Sequence, residues 1–172
     1  MDIFAHALYG ATVCSRSGLA GRAQGAKVSP GKEWTVWLSM VFGVLPDFLT
    51  LVCSFPIHPL IDARGHLTVD LTCYRTLHSL LVALAVSLLI RVIWKPAFIA
   101  SLAWPLHIAC DALTHGSGKH QTPLFYPLLS WGFDGIRRQK YPWFIALYWI
   151  LLPLVWLGIH LYRKRNHASL NS

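Results

Sequence analysis

His107-Ile108-Ala109-Cys110-Asp111-Ala112-Leu113-Thr114-His115-Gly116 sets strong metal-ligating side chains inside an otherwise apolar run. Wound as a helix, it places His107, Asp111 and Thr114 on one face, because residues three and four apart stand one above another. Ile108, Ala109, Ala112 and Leu113 form the opposite, apolar face. A carboxylate and an imidazole one turn apart can share a cation, which neutralises the carboxylate where water is scarce. Such a pair can equally do no more than hold two helices together. The choice turns on how many similar residues lie at the same depth elsewhere.

The 172 residues are 55% hydrophobic and only 13% charged, which points to a single membrane-embedded domain. Eight tryptophans suit interfacial belts. The net charge of +8 does not indicate nucleic acid, because the basic residues lie at the ends of apolar segments and form no basic helix face. They read as topology signals. Cys14, Cys53, Cys73 and Cys110 form no C-x-x-C pair, so neither a zinc ribbon nor a thioredoxin-like motif is indicated. Cys53 and Cys73 flank one loop and would pair only in an oxidising compartment; the reading favoured here is two inert thiols. With Asp2 and no basic residue ahead of the first apolar run, a cleaved signal peptide is not expected.

Along the chain, Met1 to Cys14 reads as a short apolar helix with Asp2 and His6 on one edge, too short to cross a bilayer comfortably. Residues 15–32 form a basic Gly/Ser/Ala-rich loop. Trp34 to Cys53 is a spanning segment interrupted by Pro46 and Asp47, although the aspartate is also suited to a turn or cap. Residues 54–74 are expected as loop. A second clear span, Leu77 to Trp94, opens on Arg75-Thr76-Leu77-His78-Ser79, where Thr76 as N-cap with Arg75 beside it predicts an anion site. Ala97 to Thr114 carries the opening motif. Residues 116–141 are too interrupted to span and read as interfacial or re-entrant. Pro142 to Tyr162 is a last span, ended by the basic tail 163–172. The expectation is an all-α, polytopic membrane bundle of about four spanning helices plus a short N-terminal helix.

Alternating helix directions bring Asp2, His6, Asp47, His78, His107 and Asp111 to one side of the membrane, with Glu33 on the other. Basic loops at Arg16 to Lys32, Arg91 to Lys95 and Arg163 to Arg165 would be cytoplasmic, which turns the His/Asp side outward; Arg137 to Lys140 violates the rule. A centrally placed aspartate costs about 2.5–3.5 kcal/mol on insertion scales, so a random scatter of these groups is not tolerated. Packing explains one pair, whereas a convergent metal site explains the set.

The ordered set Asp2-x-x-x-His6-x-x-x-Gly10, Leu45-Pro46-Asp47, Leu77-His78-Ser79-Leu80, His107-x-x-x-Asp111-x-x-Thr114 and Thr122-Pro123 resembles the YdjM-like family of bacterial inner-membrane metal-dependent hydrolases. The likeness covers about the first three quarters of the chain. It implies a helical inner-membrane protein, a distant relation to zinc-dependent phospholipase C proteins, and His6, Asp47, His78, His107 and Asp111 as metal ligands. The sequence departs from the family pattern at Leu49, where many members carry a second acid, and at Cys73-Tyr74, where they carry His-Arg. Fewer ligands imply one metal instead of two, or a site that binds without turnover.

From the residues themselves, a His/Asp set without cysteine suits zinc or manganese, imidazole favouring zinc. Arg75 and Lys119 are candidates to hold an anionic headgroup, and His115 or Asp2 to act as general base or as orienter of a ligand. The reaction expected is hydrolysis of a phospholipid or other membrane-delivered ester. Two other readings stand beside it: an intramembrane proton or ion relay or transporter component, and a non-catalytic partner protein whose helices a metal holds together. His58, His66, His120 and His167 read as loop histidines and His160 as interfacial. No G-x-S-x-G elbow supports serine hydrolase chemistry.

Overall fold

The computed structural model describes residues 2–22, 33–56, 69–118, 121–136 and 140–169. Among them the regular elements are helices: α1 (Ile3–Cys14), α2 (Leu19–Arg22), α3 (Trp34–Ser54), α4 (Leu71–Leu77), α5 (Leu80–Ile93), a 3-10 turn at Lys95–Ala97, α6 (Phe98–Ser101), α7 (Ala103–Thr114) and α8 (Pro142–Ser169). Three stretches are long and apolar enough to cross a membrane, Trp34–Ser54, Lys95–Thr114 and Pro142–Tyr162; α4 and α5, bent by 53°, make a fourth if they count as one span. The Lys95–Thr114 span is 61% buried, against 22% for α3 and 17% for α8, so it is the centre around which the others pack.

Close approach of α1 to α3 sets the geometry. A Cβ on Gly10 would stand 2.6 Å from the Ser39 carbonyl oxygen, and one on Gly43 would stand 2.6 Å from that of His6. With these two glycines the backbones touch, as small residues allow where lipid supplies no hydrophobic drive between helices. Asp2 caps α1 by accepting a hydrogen bond from the Ala5 amide at 2.9 Å. Its second oxygen accepts from the Tyr148 hydroxyl at 2.6 Å, and the Tyr9 hydroxyl donates to the Tyr148 carbonyl at 2.6 Å, which ties α8 to α1. Partial burial pushes the Asp2 carboxyl up, but the hydrogen bonds from Tyr148 and Ala5 outweigh it and hold the group below the usual carboxylate range. At the other end of α1, buried Glu33 accepts from the Arg16 amide at 3.1 Å and from the Ser17 hydroxyl.

Three sequence expectations are corrected. The span from Leu77 to Trp94 is not one helix: the chain bends at His78–Ser79, and Ser79, not Thr76, is the N-cap of α5. Thr76 instead donates to the Thr72 carbonyl at 2.8 Å inside α4, and Arg75 stands in the last turn of α4. Residues 54–74 are not all loop, because Asp70 accepts from the Thr72 and Cys73 amides, both at 2.9 Å, and starts α4. Cys53 and Cys73 are not two thiols but a disulfide, since α4 returns against the end of α3 and brings their Cα atoms to 6.2 Å.

The bend frees backbone groups at membrane depth, and neighbouring parts of the chain take them up. Trp104 Nε1 donates to the Leu77 carbonyl at 2.9 Å. The segment after α7 supplies the rest: Ser79 Oγ donates to the Tyr126 carbonyl at 2.7 Å, and the Leu81 amide to the Leu124 carbonyl at 3.2 Å. Irregular backbone within a bilayer persists only where protein satisfies it.

Candidate metal centre

The bend places His78 and α7 places His107 and Asp111, while Asp47 descends from the turn after Pro46 in α3. His107 is directed by its back nitrogen. Nδ1 lies 2.7 Å from the Gly43 carbonyl oxygen, within the α1–α3 contact. His78 is held in the same way, with Nδ1 3.1 Å from the Tyr74 carbonyl and the Tyr74 ring stacked at 4.2 Å. A carbonyl only accepts, so both Nδ1 atoms carry the proton of the neutral ring and both Nε2 atoms present lone pairs.

Those two Nε2 atoms face each other at 3.4 Å. Around them stand Asp47 Oδ1, 3.2 Å from His78 and 3.8 Å from His107, and Asp111 Oδ2, 3.2 Å from His107 and 3.8 Å from His78. All four ligand atoms lie within 4.8 Å of one another. Bonds of about 2.0–2.2 Å in a tetrahedral shell separate ligand atoms by about 3.3–3.6 Å. The cluster is therefore the right size for a small divalent cation, and it converges acceptors without an intervening donor. Two carboxylates and two imidazole lone pairs at such spacing, with His78, His107 and Asp111 each under 3% exposed, repel unless a cation or protons lie among them. The four residues could hold a metal ion.

Asp111 has a second partner. His6 Nε2 lies 2.9 Å from Oδ1, and the His6 ring stacks on His107 at 3.7 Å between centroids. A carboxylate accepts, so His6 Nε2–H donates and Nδ1 is left bare, buried and without a hydrogen-bond partner among the described residues. His6 thus stands outside the four-atom group, behind Asp111. His115, at the end of α7, brings Nδ1 to 3.7 Å from Asp111 Oδ2, with a side chain 22% exposed at the rim. Asp47, 33% exposed, is the open member of the four. Arg75 is half-buried one turn before His78. Asp2 is committed to α8 and the Ala5 amide. Lys119, His58, His66 and His120 lie outside the described residues.

Sequence reasoning passed over Gly43 and Tyr74, whose carbonyls aim the two imidazoles. Gly43 had a signal, a glycine four residues before Asp47 in an apolar span, while Tyr74 had none until the bend was known. Along the buried hydroxyls from His6 toward Glu33, Thr12 and Ser15 donate to the Leu8 and Ala11 carbonyls at 2.7 and 2.6 Å, and Ser39 to those of Thr35 and Cys14 at 2.6 and 2.8 Å. Compared with protein-family models, curated proteins and solved structures, the chain matches none.

Proposed function

We propose that this membrane protein is a metal-dependent hydrolase of a lipid-borne or phosphate ester, with one divalent metal, zinc by ligand preference, held by Asp47, His78, His107 and Asp111. The observation that carries this reading is the open side of an otherwise sealed cluster. Three donors are buried, while Asp47 and the neighbouring His115 are partly exposed. That is the side from which a water and a substrate oxygen would approach. A metal held by these four residues would supply Lewis acidity and would lower the pKa of a bound water toward about 7.

The chain's own groups complete the chemistry. His115 at the rim is placed to accept the proton of the attacking water and return it to the leaving alkoxide, so that water is added across the ester bond. Arg75, which makes no ion pair among the described residues, is available to a phosphate or carboxylate of the substrate. His6 holds Asp111 by Oδ1 and leaves Oδ2 for the metal. The Cys53–Cys73 bond lies at the same membrane end as the site, and disulfides persist in oxidising compartments, which supports an extracytoplasmic site on a multi-pass inner-membrane protein. The family resemblance of the His and Asp motifs points the same way.

One observation favours a second reading. Four protein donors can complete a tetrahedron, as in structural zinc sites that only tie helices together. Elemental analysis of detergent-purified protein, native and with His107→Ala or Asp111→Ala, tests the metal: near-stoichiometric zinc or manganese lost in both variants is expected, and its absence from the folded native chain refutes the site. His115→Ala then separates the two readings. Metal content retained with hydrolysis of phosphoester or phospholipid substrates lost supports catalysis. A metal-replete native protein inert on both substrate classes leaves the structural role.

A further inference from the structure

The Cys53–Cys73 bond joins the two helices that bring Asp47 and His78 to the cluster. Cys53 lies one residue before the end of α3 and six beyond Asp47, and Cys73 lies in α4, five residues before His78. Asp47 and His78 are 31 residues apart along the chain, and the bond bridges 20 of those, leaving a path of 11.

Packing does little to hold α4 against α3. A cavity of about 360 Å³ opens between them, lined by both cysteines and, among others, by Leu49, Val52, Thr72 and Thr76. Of the 7 residues of α4 only Tyr74 is buried, and its ring stacks on His78 at 4.2 Å. Just ahead of the helix, the Asp70 amide donates to Ser54 Oγ at 2.8 Å. A helix so short and so little buried takes its position from its tethers. The bond is also open to attack: Cys53 is exposed and Cys73 half-buried, at the end of the α3 span. Exposed disulfides are the ones that exchange with thiols.

We propose that Cys53–Cys73 is a thiol-exchange site whose state sets the affinity of the candidate metal site. A thiolate of a dithiol reductant, small or protein-borne, attacks Cys53 Sγ and expels Cys73 as thiolate. The reductant's second thiol then displaces Cys53, so the reductant leaves as a disulfide, its two protons pass to the chain, and Cys53 and Cys73 become thiols. With the bond closed, α4 is held against α3 and His78 Nε2 stays 3.2 Å from Asp47 Oδ1. With it open, α4 is released and carries His78 away from Asp47. The path that brings the two ligands together then grows from 11 to 31 residues, which at the three-halves power of loop length weakens metal binding by about fivefold. This control of affinity rests on the metal site proposed above, whereas the exchange and the release of α4 do not.

The test titrates the full chain in detergent with zinc against a chromophoric chelator, oxidised and after treatment with dithiothreitol and its anaerobic removal. Cys53→Ser with Cys73→Ser is read beside them, because the thiols of the reduced chain can themselves take zinc and serines do not. The bond is expected to open in millimolar dithiothreitol without denaturant, both open forms to bind zinc about fivefold more weakly, and reoxidation to restore the native affinity. A bond that opens only on denaturation, or equal affinity in the oxidised and double-serine chains, overturns the proposal. Hydrogen exchange of the Thr72–Leu77 amides in the oxidised and reduced native chain needs neither metal nor the variant. Exchange faster by about fivefold in the reduced chain is expected, and unchanged exchange overturns the release of α4 whatever the metal does. A chain that binds no metal in any form while α4 exchange quickens refutes the metal site and its control, and leaves the exchange site alone.

Discussion

Replacing His6 measures what the residue behind Asp111 contributes to the candidate metal site. Its Nε2–H donates to Asp111 Oδ1 at 2.9 Å, and both residues are 2% exposed, so the bond is shielded from solvent in the native chain. A hydrogen bond to a charged group is worth about 1.5–3 kcal/mol, and one tenfold step in affinity is about 1.4 kcal/mol. If the loss falls on the metal-binding geometry, His6→Ala weakens binding by about 10- to 140-fold, in line with the 10- to 100-fold typical of groups that orient a ligand. His6→Gln places an amide N–H near the same oxygen and should stay within about threefold of the native chain, a difference of about 0.7 kcal/mol. The assay is competition for zinc against a chromophoric chelator, with the visible spectrum of the cobalt-substituted protein beside it. Unchanged affinity in His6→Ala refutes the positioning role. A His6→Gln variant that loses metal as completely as His107→Ala, with an altered cobalt spectrum, makes His6 a ligand instead.

Gly43→Val drives a side chain into the His6 carbonyl, which a Cβ would already meet at 2.6 Å, so α1 is pushed off α3 and His107 loses its aim; metal content measured after gel filtration should fall to background. Cys53→Ser with Cys73→Ser opens a cross-link between residues 20 apart, worth about 3 kcal/mol on the chain-entropy estimate, and should lower the thermal midpoint in detergent; an unchanged midpoint would mean the bond constrains little. Trp104→Phe removes the donor to the Leu77 carbonyl and should cost about 1–3 kcal/mol of stability in a denaturant titration, with the metal still bound.

The membrane-bundle architecture is legible in the sequence because spans and their polar interruptions are compositional facts, and antiparallel threading then carries Asp47, His78, His107 and Asp111 to one end. What the sequence hides is set by contacts between segments. Arg75-Thr76-Leu77-His78-Ser79 contains two hydroxyl residues able to cap a helix, and local chemistry does not choose between them. The choice of Ser79 comes from Trp104 and the 124–126 segment, which accept the cost of breaking the helix there. The Cys53–Cys73 bond was obscured for the same reason, since two cysteines at the edges of an expected loop meet only once α4 forms and folds back on α3. His6 shows the limit of spacing as a guide: its place one turn after a capping aspartate does not reveal that its Nε2 lies against Asp111 Oδ1.

The bend at His78 is also what makes the cluster possible. A straight helix hydrogen-bonds its own carbonyls and turns its side chains outward at fixed angles. Ending α4 at Leu77 makes His78 a C-cap, where its Nδ1 reaches back to the Tyr74 carbonyl and its Nε2 points across the bundle to Asp47 and His107. α7 needs no such break, because His107 and Asp111 are one turn apart and already share a face. The protein therefore joins a regular helix face with two donors to an interrupted span with a third, and the interruption is held by residues that touch no ligand. Ser79→Ala is expected to act on the candidate metal site through the orientation of His78: binding weakened with Asp47, His107 and Asp111 intact, and kept in Ser79→Thr, is the pattern that distinguishes this coupling from loss of a ligand.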